Sequence, residues 1–211
     1  SLGTILRLYG SKNDTDLLAL CDNVIPHEKR FGDHFLTRYF LNSNHRFLVM
    51  SKSVGNDIST FIKNPKVDYH PHPVYDHFGD LIDKSQAING LSLDISKKYL
   101  LFFGFIRKYK GLDLLLDSLP NFPENVELIV AGEFYDYTHE YKVLVSKLGI
   151  ENKVHFFSDF IPENKVNLFF SACDMVVQPY KSATQSGVAQ IAYHFNKPIL
   201  VTNVGGLPEI V

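Results

Sequence analysis

The chain has 211 residues, of which 45% are hydrophobic and 21% charged; this is typical of a soluble globular protein with one large or two smaller domains. Its formal net charge of -2, from 21 basic and 23 acidic residues, excludes a general attraction to nucleic acid or anionic lipid, so any anion site must be local. The longest apolar runs, such as residues 99–106, are too short to cross a bilayer.

The cysteines and the two ends of the sequence indicate the cellular compartment of the protein and whether the sequence is part of a longer chain. Cys21 and Cys173 lie within or beside apolar segments, and two cysteines make no disulfide framework. We interpret them as buried thiols, and with no signal peptide at the start we expect a cytoplasmic protein. The sequence begins at Ser1 and stops at Val211 just as a helix pattern begins, so we expect a piece of a longer protein.

The first part of the chain predicts strands and helices in a loose alternation. In chain order these are a strand over residues 17–20, a helix over 33–41, a strand over 47–50 and a helix over 54–62. From Asp68 onward, turn formers without a sustained period predict a crossover between two lobes. We place the boundary between residues 80 and 97 and expect two domains, residues 1–90 and residues 91–211.

From residue 98 the alternation becomes regular. Strands are predicted over residues 99–105, 126–131, 154–157, 175–178 and 198–204, and helices over 112–119, 139–148, 164–172 and 188–195. Continuous apolar strands separated by amphipathic helices predict an α/β domain of the Rossmann type, with a parallel sheet covered on both faces.

Ligands of such sheets bind beyond the carboxyl ends of the strands, and the turn after residue 103 is basic. Gly104 lets the backbone approach a ligand, and Arg107, Lys108 and Lys110 follow before Gly111. Arginine offers a planar fork for phosphate oxygens and lysine a mobile charge. The spacing matches neither the GxGxxG fingerprint nor the Walker A motif, so a solvated basic turn stays open as the alternative.

A second turn on the same predicted edge is neutral and rich in hydroxyls. Small residues run from Ser182 to Gly187, where a helix pattern begins. The free amides of a helix start attract anions, although Ser186 is also an ordinary capping residue. Together with the basic turn, this favours a diphosphate shared by both. A third turn, residues 202–211, has a glycine pair and Pro208. This pattern fits a ligand contact and a tight turn before a helix equally well.

Several segments in order carry a family resemblance: GFIRKYKGLDLLLDSL, ELIVAGEF, KVHFFSDFIPENKVNLFFSACDMVVQPY and KPILVTNVGGLPEIV. They resemble the C-terminal domain of glycosyltransferase family 4, the group 1 glycosyl transferases, over about residues 98–211. NVIPHEKR and FLVMSKSV match the first lobe more weakly. The resemblance implies the GT-B fold, which has two Rossmann-like lobes with parallel sheets, here with an incomplete first lobe and an incomplete extreme C-terminus.

The resemblance also implies transfer of a sugar, with retention of configuration, from a UDP- or GDP-linked donor to an acceptor glycan, lipid or small molecule. It assigns the donor diphosphate to Arg107 and Lys110, beside Gly104. It assigns the nucleobase to the turn of Phe160 and Ile161. The remaining expected donor contacts are the helix start and the carboxylate placed at a strand end, namely Ser186, Gly187, Val188 and Glu133. No metal or other cofactor is expected, since members of this fold are commonly metal-independent.

The sequence departs from the family pattern at a pair of glutamates. The positions where two acids are usual fall on Ala183 and Ile191. Gln185 or Gln190 is the candidate for a neutral hydrogen bond to ribose or sugar.

Histidines supply the candidates from the first part of the chain. His27 follows a predicted strand, and the resemblance places it near the transferred sugar as the catalytic candidate, with a turn histidine held by backbone as the alternative. His70, His72 and His77 suggest a metal, but no carboxylate or cysteine is placed to complete the ligand set, and a polar crossover accounts for them better.

Two other functions stay open at this point. The chain could be a non-catalytic nucleotide-sugar-binding or partner lobe of a transferase complex, or an epimerase or phosphorylase of the same fold. The missing acids favour the first of these, and an epimerase would need a carboxylate and histidine pair, for which Glu133 is the one well-placed acid. We expect the 211-residue piece to have little or no activity, leave peripheral membrane association of the full-length protein open and expect no nucleic acid partner.

Overall fold

A computed structural model describes residues 2–13, 15–28, 30–135 and 138–211. The chain divides into two compact units. The first unit comprises residues 1–72, 182–185 and 204–210, and the second unit comprises residues 73–181, 186–203 and 211. Each unit has a parallel sheet of its own, which confirms the predicted α/β fold with two parallel sheets. The predicted domain boundary at residue 90 stays a prediction.

The first unit contains three helices and three strands among the described residues. They are α1 (Leu2–Asn13), β1 (Leu18–Cys21), α2 (Asp33–Leu41), β2 (Arg46–Val49), α3 (Lys52–Phe61) and β3 (Val67–Tyr69). The strands pair in the order β1-β2-β3, all parallel. The core lies where Phe47 and Val49 of β2 meet Leu41 of α2 and Ile58 of α3, each at most 1% exposed.

The start of α3 is capped from a distant part of the chain. Ser51 is the N-cap, and its hydroxyl oxygen accepts a hydrogen bond from the Ser53 amide. The carboxylate of Glu209, in a short 3-10 helix over Leu207–Ile210, accepts hydrogen bonds from the Lys52 amide at 2.7 Å and the Ser53 amide at 2.9 Å. A carboxylate at this position satisfies helix-start amides and complements the helix dipole.

The second unit contains the regular part of the chain. Its helices and strands are α4 (Lys84–Gly90), β4 (Lys98–Phe103), α5 (Leu112–Ser118), β5 (Val126–Ala131), α6 (Thr138–Leu148), β6 (Val154–Phe157), α7 (Glu163–Ala172), β7 (Met175–Gln178), α8 (Gly187–His194) and β8 (Ile199–Val201). The five strands pair in the order β6-β5-β4-β7-β8, all parallel. The order reverses between β4 and β7, which places a crevice for ligands beyond the carboxyl ends of these two strands.

Alternation along the central strands builds a core on each face of the sheet. Tyr99 and Leu101 of β4 enter one cluster with α4, α7 and α8, while Phe102 enters the other with α5 and α6. The same alternation places Ile129 of β5 in the first cluster and Leu128 in the second. Both faces are therefore buried, which explains why these strands are continuously apolar.

The structure corrects several predicted boundaries. β4 ends at Phe103 rather than at residue 105, because Gly104 turns the chain at a φ of 92°. β8 covers Ile199–Val201 rather than residues 198–204, and it begins after Pro198, which has no amide proton for the ladder. β3, α4 and α1 are elements that the sequence pattern did not reveal.

Candidate functional site

Two glycines bring together the loops that follow β4 and β5. Gly104 has a φ of 92° and Gly132 a φ of 137°, in the region that side chains rarely adopt. A Cβ added at Gly132 would overlap the carbonyl oxygen of Gly104, so the two backbones touch where no side chain fits. The sequence predicted that a ligand could approach the backbone at Gly104. In the structure, the backbone of Gly132 lies against one side of this residue.

Of four cations at this edge of the second unit, three have a partner that holds them. Lys181 pairs with Asp113 at 2.5 Å, and Lys108 pairs with Glu140 at 3.4 Å. The guanidinium of Arg107 lies 3.8 Å from the centre of the Tyr135 ring. The ammonium group of the fourth cation, Lys110, forms no hydrogen bond or ion pair within the described residues.

Lys110 directs its ammonium group toward Gly104. The Nζ atom lies 3.4 Å from the point where a Cβ on Gly104 would sit, and 5.7 Å from the centre of the buried Tyr180 ring. Burial, and to a lesser extent the nearby charge of Arg107, together lower the pKa of Lys110 to about 8. The arrangement therefore holds a poorly solvated positive charge beside the half-buried backbone of Gly104.

The start of α8 reaches the same glycine. Val188 Cγ2 lies 3.5 Å from the Cβ position of Gly104, so Lys110 and Val188 flank this residue. Ser186 is the N-cap, and its hydroxyl oxygen accepts a hydrogen bond from the Ala189 amide at 3.3 Å. The amides of Gly187 and Val188 have no acceptor among the described residues, as expected for a first helical turn. Ser186 is therefore an ordinary N-cap, and the helix start that it caps still has amides without an acceptor in the described ranges.

Three glutamines, in β7, before α8 and in α8, have buried side-chain atoms. Gln190, one of the two predicted hydrogen-bond candidates, is 5% exposed. Gln178, at the end of β7, is 1% exposed, and neither polar atom of its side chain finds a partner in the described ranges. The Oε1 atom of Gln185 is also buried without a partner there, although Gln185 belongs to the first unit. Gln178 was not predicted as a candidate, because it lies at the end of an apolar strand.

The positions of the two usual acids are apolar and enclosed. Ala183 is 6% exposed, and its carbonyl oxygen accepts a hydrogen bond from the Gly206 amide. Ile191 is 6% exposed and packs in the core beneath α8. Neither position therefore carries a carboxylate.

The remaining predicted donor residues also follow strands of the second unit. Glu133 comes after β5, where its side chain is exposed and its carbonyl oxygen accepts a hydrogen bond from the Ile106 amide at 2.9 Å. Phe160 and Ile161 come after β6, with the Phe160 ring 64% exposed and Ile161 packed against the core. In a parallel sheet these turns share one edge with Gly104, so the structure brings them to the predicted side.

His27 lies in the first unit, in the turn after β1. Its Nδ1 atom and the hydroxyl oxygen of Ser182 are 2.9 Å apart, and both residues belong to that unit. Burial lowers the pKa of His27, while the nearby carboxylates of Glu28 and Asp57 oppose this change. Burial likewise raises the pKa of Asp57. The histidine is therefore held by polar contacts and biased toward its neutral form.

The other histidines of interest lie on the segment after β3. His70 Nδ1 contacts the carbonyl oxygen of Pro71 at 2.9 Å, and the His77 ring stacks on Phe78 with centroids 4.1 Å apart. Within the described ranges, no three histidine, cysteine or acidic side chains are grouped so as to hold a metal ion.

Two further observations concern the thiols and the membrane. Cys21 and Cys173 are free and buried, as predicted, and burial raises the pKa of Cys173 to about 12. In the part of the chain that the structure describes, no helix combines the length and apolar character needed to span a bilayer.

Comparison with known proteins identifies the family of the second unit. The family model for glycosyl transferases group 1 matches residues 83–211, more than half of the chain. An uncharacterized glycosyltransferase of Methanocaldococcus jannaschii is 27% identical over 175 residues, which cover 78% of this chain and 44% of that protein. A GDP-mannose:glycolipid 4-beta-D-mannosyltransferase of Xanthomonas campestris pv. campestris is 25% identical over 88% of this chain and 50% of the relative.

Solved structures show the same fold. HepE of Anabaena, in complex with UDP and glucose, superimposes with a TM-score of 0.82 at 17% identity, covering 99% of this chain and 59% of HepE. This likeness confirms the predicted GT-B type of α/β fold. The chain spans about half the length of the curated relatives it matches.

Proposed function

The chain belongs to the group 1 glycosyl transferases, and from this premise we propose that it binds the nucleotide-sugar donor of a sugar transfer reaction. The proposed donor is a UDP- or GDP-linked sugar, and the proposed outcome is transfer to a glycan or glycolipid acceptor with retention of configuration. A relative named for GDP-mannose and glycolipid, and a structural neighbour solved with UDP, support these substrate classes.

The observation that carries the proposal is the Lys110 ammonium. A charge that is withdrawn from water without an anionic partner is unfavourable, by on the order of several kcal/mol when burial is complete, and Lys110 is partly buried. Lys181 and Lys108 already have carboxylate partners, whereas Lys110 has none among the described residues and faces Gly104 and the start of α8. A diphosphate placed there would pair with Lys110 and accept hydrogen bonds from the amides of Gly187 and Val188.

Such a site suits the chemistry of sugar transfer. The bond to the anomeric carbon breaks as the nucleoside diphosphate leaves with growing negative charge, while the sugar becomes oxocarbenium-like. Arg107, Lys110 and the helix-start amides are fixed before reaction, so they stabilise that charge without having to reorganise. In this proposal two cations and a helix terminus neutralise the leaving group, and no metal or other cofactor is invoked.

The remaining roles are assigned by position. Phe160 and Ile161 would receive the nucleobase beside β6, and Gln190 and Gln185 would hydrogen-bond to ribose or sugar hydroxyls. The unpaired amide of Gln178 joins this set. His27, whose Nδ1 atom lies 2.9 Å from the hydroxyl oxygen of Ser182, is the proposed catalytic residue, and the cytoplasm is the proposed location.

One observation favours a second function, a non-catalytic binding lobe. The positions of the two acids hold buried apolar side chains, Ala183 and Ile191, so the turn before α8 and α8 itself lack the family's usual carboxylates. Such a lobe would bind the donor equally well and transfer nothing.

Calorimetric titration with UDP and GDP tests the donor site. We expect the wild-type chain to bind one or both, and the combined substitution of Arg107→Ala and Lys110→Ala to weaken binding at least 100-fold, since hydrogen bonds to charged groups contribute about 1.5–3 kcal/mol each. Lys181→Ala is the matched control, because this lysine is engaged by Asp113. No binding of either nucleotide, or full affinity in the double variant, would refute the placement.

Because we expect the 211-residue piece to have little or no activity, a sugar transfer assay on the full-length protein separates the two functions. Donor binding with turnover, abolished by His27→Ala, supports the transferase; donor binding without hydrolysis or transfer of any donor sugar supports the binding lobe.

A further inference from the structure

Tyr135 is an exposed aromatic residue directly beneath a proposed phosphate-binding arginine. Its ring is 61% exposed, although it is large and partly apolar. The guanidinium carbon of Arg107 lies 3.8 Å from the ring centre, which is the distance of a stacked cation and aromatic pair. The Phe105 ring meets the Tyr135 ring edge-on, with centroids 6.4 Å apart.

Backbone pairing fixes this stack on both sides. Beyond the ends of β4 and β5, the Ile106 amide donates to the Glu133 carbonyl oxygen at 2.9 Å, and the Tyr135 amide donates to the Ile106 carbonyl oxygen at 3.2 Å. Ile106 and Phe134 form an isolated parallel bridge between these two bonds. Arg107 and Tyr135 are each the next residue along, so their side chains emerge from loops that are tied together.

We propose that Tyr135 is a positioning residue for diphosphate recognition, which holds the guanidinium plane of Arg107 so that its N–H edge faces the phosphates. The inference rests on the proposed donor site and adds to it a residue that does not itself touch the donor. Arginine binds phosphate through two coplanar N–H groups, so the orientation of that plane decides whether both bonds form.

The stack on Tyr135 opposes the repulsion between two neighbouring cations. Arg107 and Lys110 are two cations close enough that each disfavours the other's charge, and without ligand they repel. The negative face of an aromatic ring attracts a guanidinium without neutralising it. Tyr135 therefore keeps Arg107 near Lys110 against this repulsion.

A double-mutant cycle tests the proposal. UDP and GDP affinities are measured by calorimetry for wild type, Tyr135→Leu, Arg107→Ala and the combined variant, with Tyr135→Phe as the conservative substitution. We expect Tyr135→Leu to raise the dissociation constant roughly three- to tenfold, in line with one stacked cation and aromatic pair. We expect Tyr135→Phe to bind like wild type, and Tyr135→Leu to have no further effect once Arg107 is alanine.

Each outcome decides between distinct explanations. An effect of Tyr135→Leu that persists in the Arg107→Ala background would show that Tyr135 touches the donor or supports the loop, and would overturn a role through Arg107. Unchanged affinity in Tyr135→Leu would also overturn it. Tyr69→Leu is the matched control, since this exposed tyrosine also lies beneath a cation, with Lys52 Nζ 5.8 Å from its ring centre. Failure of wild type to bind either nucleotide would instead refute the proposed donor site.

Discussion

Lys110 combines a positive charge with an environment that disfavours it. Burial and the neighbouring Arg107 both lower the pKa of Lys110, to about 8 from an ordinary value of 10.5. Below a pH of about 8 the unliganded chain holds a protonated, poorly solvated ammonium. Between about 8 and 10.5 the unfolded chain binds more protons than the folded one, so this residue's contribution to stability rises with pH in that window.

Proton linkage should therefore accompany nucleotide binding. A diphosphate favours the charged ammonium, so it raises the pKa of Lys110 and binding takes up protons at pH 8–9. We expect UDP or GDP affinity to fall as the pH rises through about 8. Calorimetry at pH 7 and pH 9, in two buffers with different ionisation enthalpies, measures both effects.

Lys110→Met is the reference for this experiment. This substitution removes the titrating group but keeps a long side chain. We expect the variant to bind UDP or GDP more weakly than wild type, and its affinity to change less between pH 7 and pH 9. Wild-type affinity that is equal at pH 7 and pH 9, with no proton uptake, would contradict the link between Lys110 and the phosphates.

At the scale of elements, the loops after β4 and β5 are joined through their glycines. Gly104 leaves β4 with a positive φ, and Gly132 lies against its carbonyl oxygen. Since the obstructing atom belongs to the backbone of a strand end, it cannot move aside as a flexible side chain would. The glycines thus set the spacing that carries Arg107 and Tyr135.

Substitution of Gly132 should separate steric crowding from backbone strain. We expect Gly132→Ala to destabilise the chain by about 3 kcal/mol or more, because it adds an overlap to the cost of a positive φ. Gly149→Ala is the matched control: Gly149 also has a positive φ, of 65°, but an added Cβ there meets nothing within 4 Å. Its cost should be about 1 kcal/mol.

Thermal and urea denaturation of both variants measure these costs. Equal destabilisation by the two substitutions would show that the contact with Gly104 contributes nothing. If Gly132→Ala folds, its affinity for UDP and GDP should also fall, whereas that of Gly149→Ala should not.

The sequence predicted these elements unevenly, for physical reasons. Periodicity alone placed the five strands of the second unit, because strands buried on both faces are continuously apolar. It missed β3, whose three residues include Asp68 and are too few to show a period. It also missed α4, although Asp83 and Gln86 mark its start; the Asp83 carboxylate accepts hydrogen bonds from the Ser85 and Gln86 amides.

Some residues of the candidate site could likewise be predicted from the sequence, and others could not. Gly104, Arg107 and Lys110 were predictable because one turn carries them all and its residue types suit phosphate. Tyr135 and Gln178 were not, because their relevance depends on contacts between segments that are distant in sequence. A stack on Arg107 requires the loop pairing beyond β5, and an unpaired amide is visible only once its neighbours are known.

For the whole molecule, the residues that we propose to hold the diphosphate all belong to one compact unit. Gly104, Arg107, Lys110, Gly187 and Val188 lie in the second unit, whereas His27 and Gln185 lie in the first. Donor binding should therefore stabilise the second unit directly, whatever the acceptor is.

Ligand-linked stabilisation measures this effect. At a nucleotide concentration 100 times the dissociation constant, binding to the folded state contributes about 2.7 kcal/mol. For a chain of this size, we expect the Tm to rise by about 5–10 °C with UDP or GDP. The parent nucleoside, which lacks the diphosphate, should give a much smaller shift.

The variant with alanine at both Arg107 and Lys110 should lose the shift produced by the diphosphate. A shift of equal size with nucleoside alone would indicate that recognition depends on the base and not on the phosphates.

The return of residues 204–210 to the first unit has a consequence for synthesis on the ribosome. Glu209 caps α3 across a sequence separation of 157 residues, and residues 182–185 join the same unit from late in the chain. Contacts so far apart carry a large loop-closure cost and form slowly. We therefore expect the sheet of the second unit to be complete before the first unit is, so residues 1–72, which are translated before the second unit, would reach their native state after it.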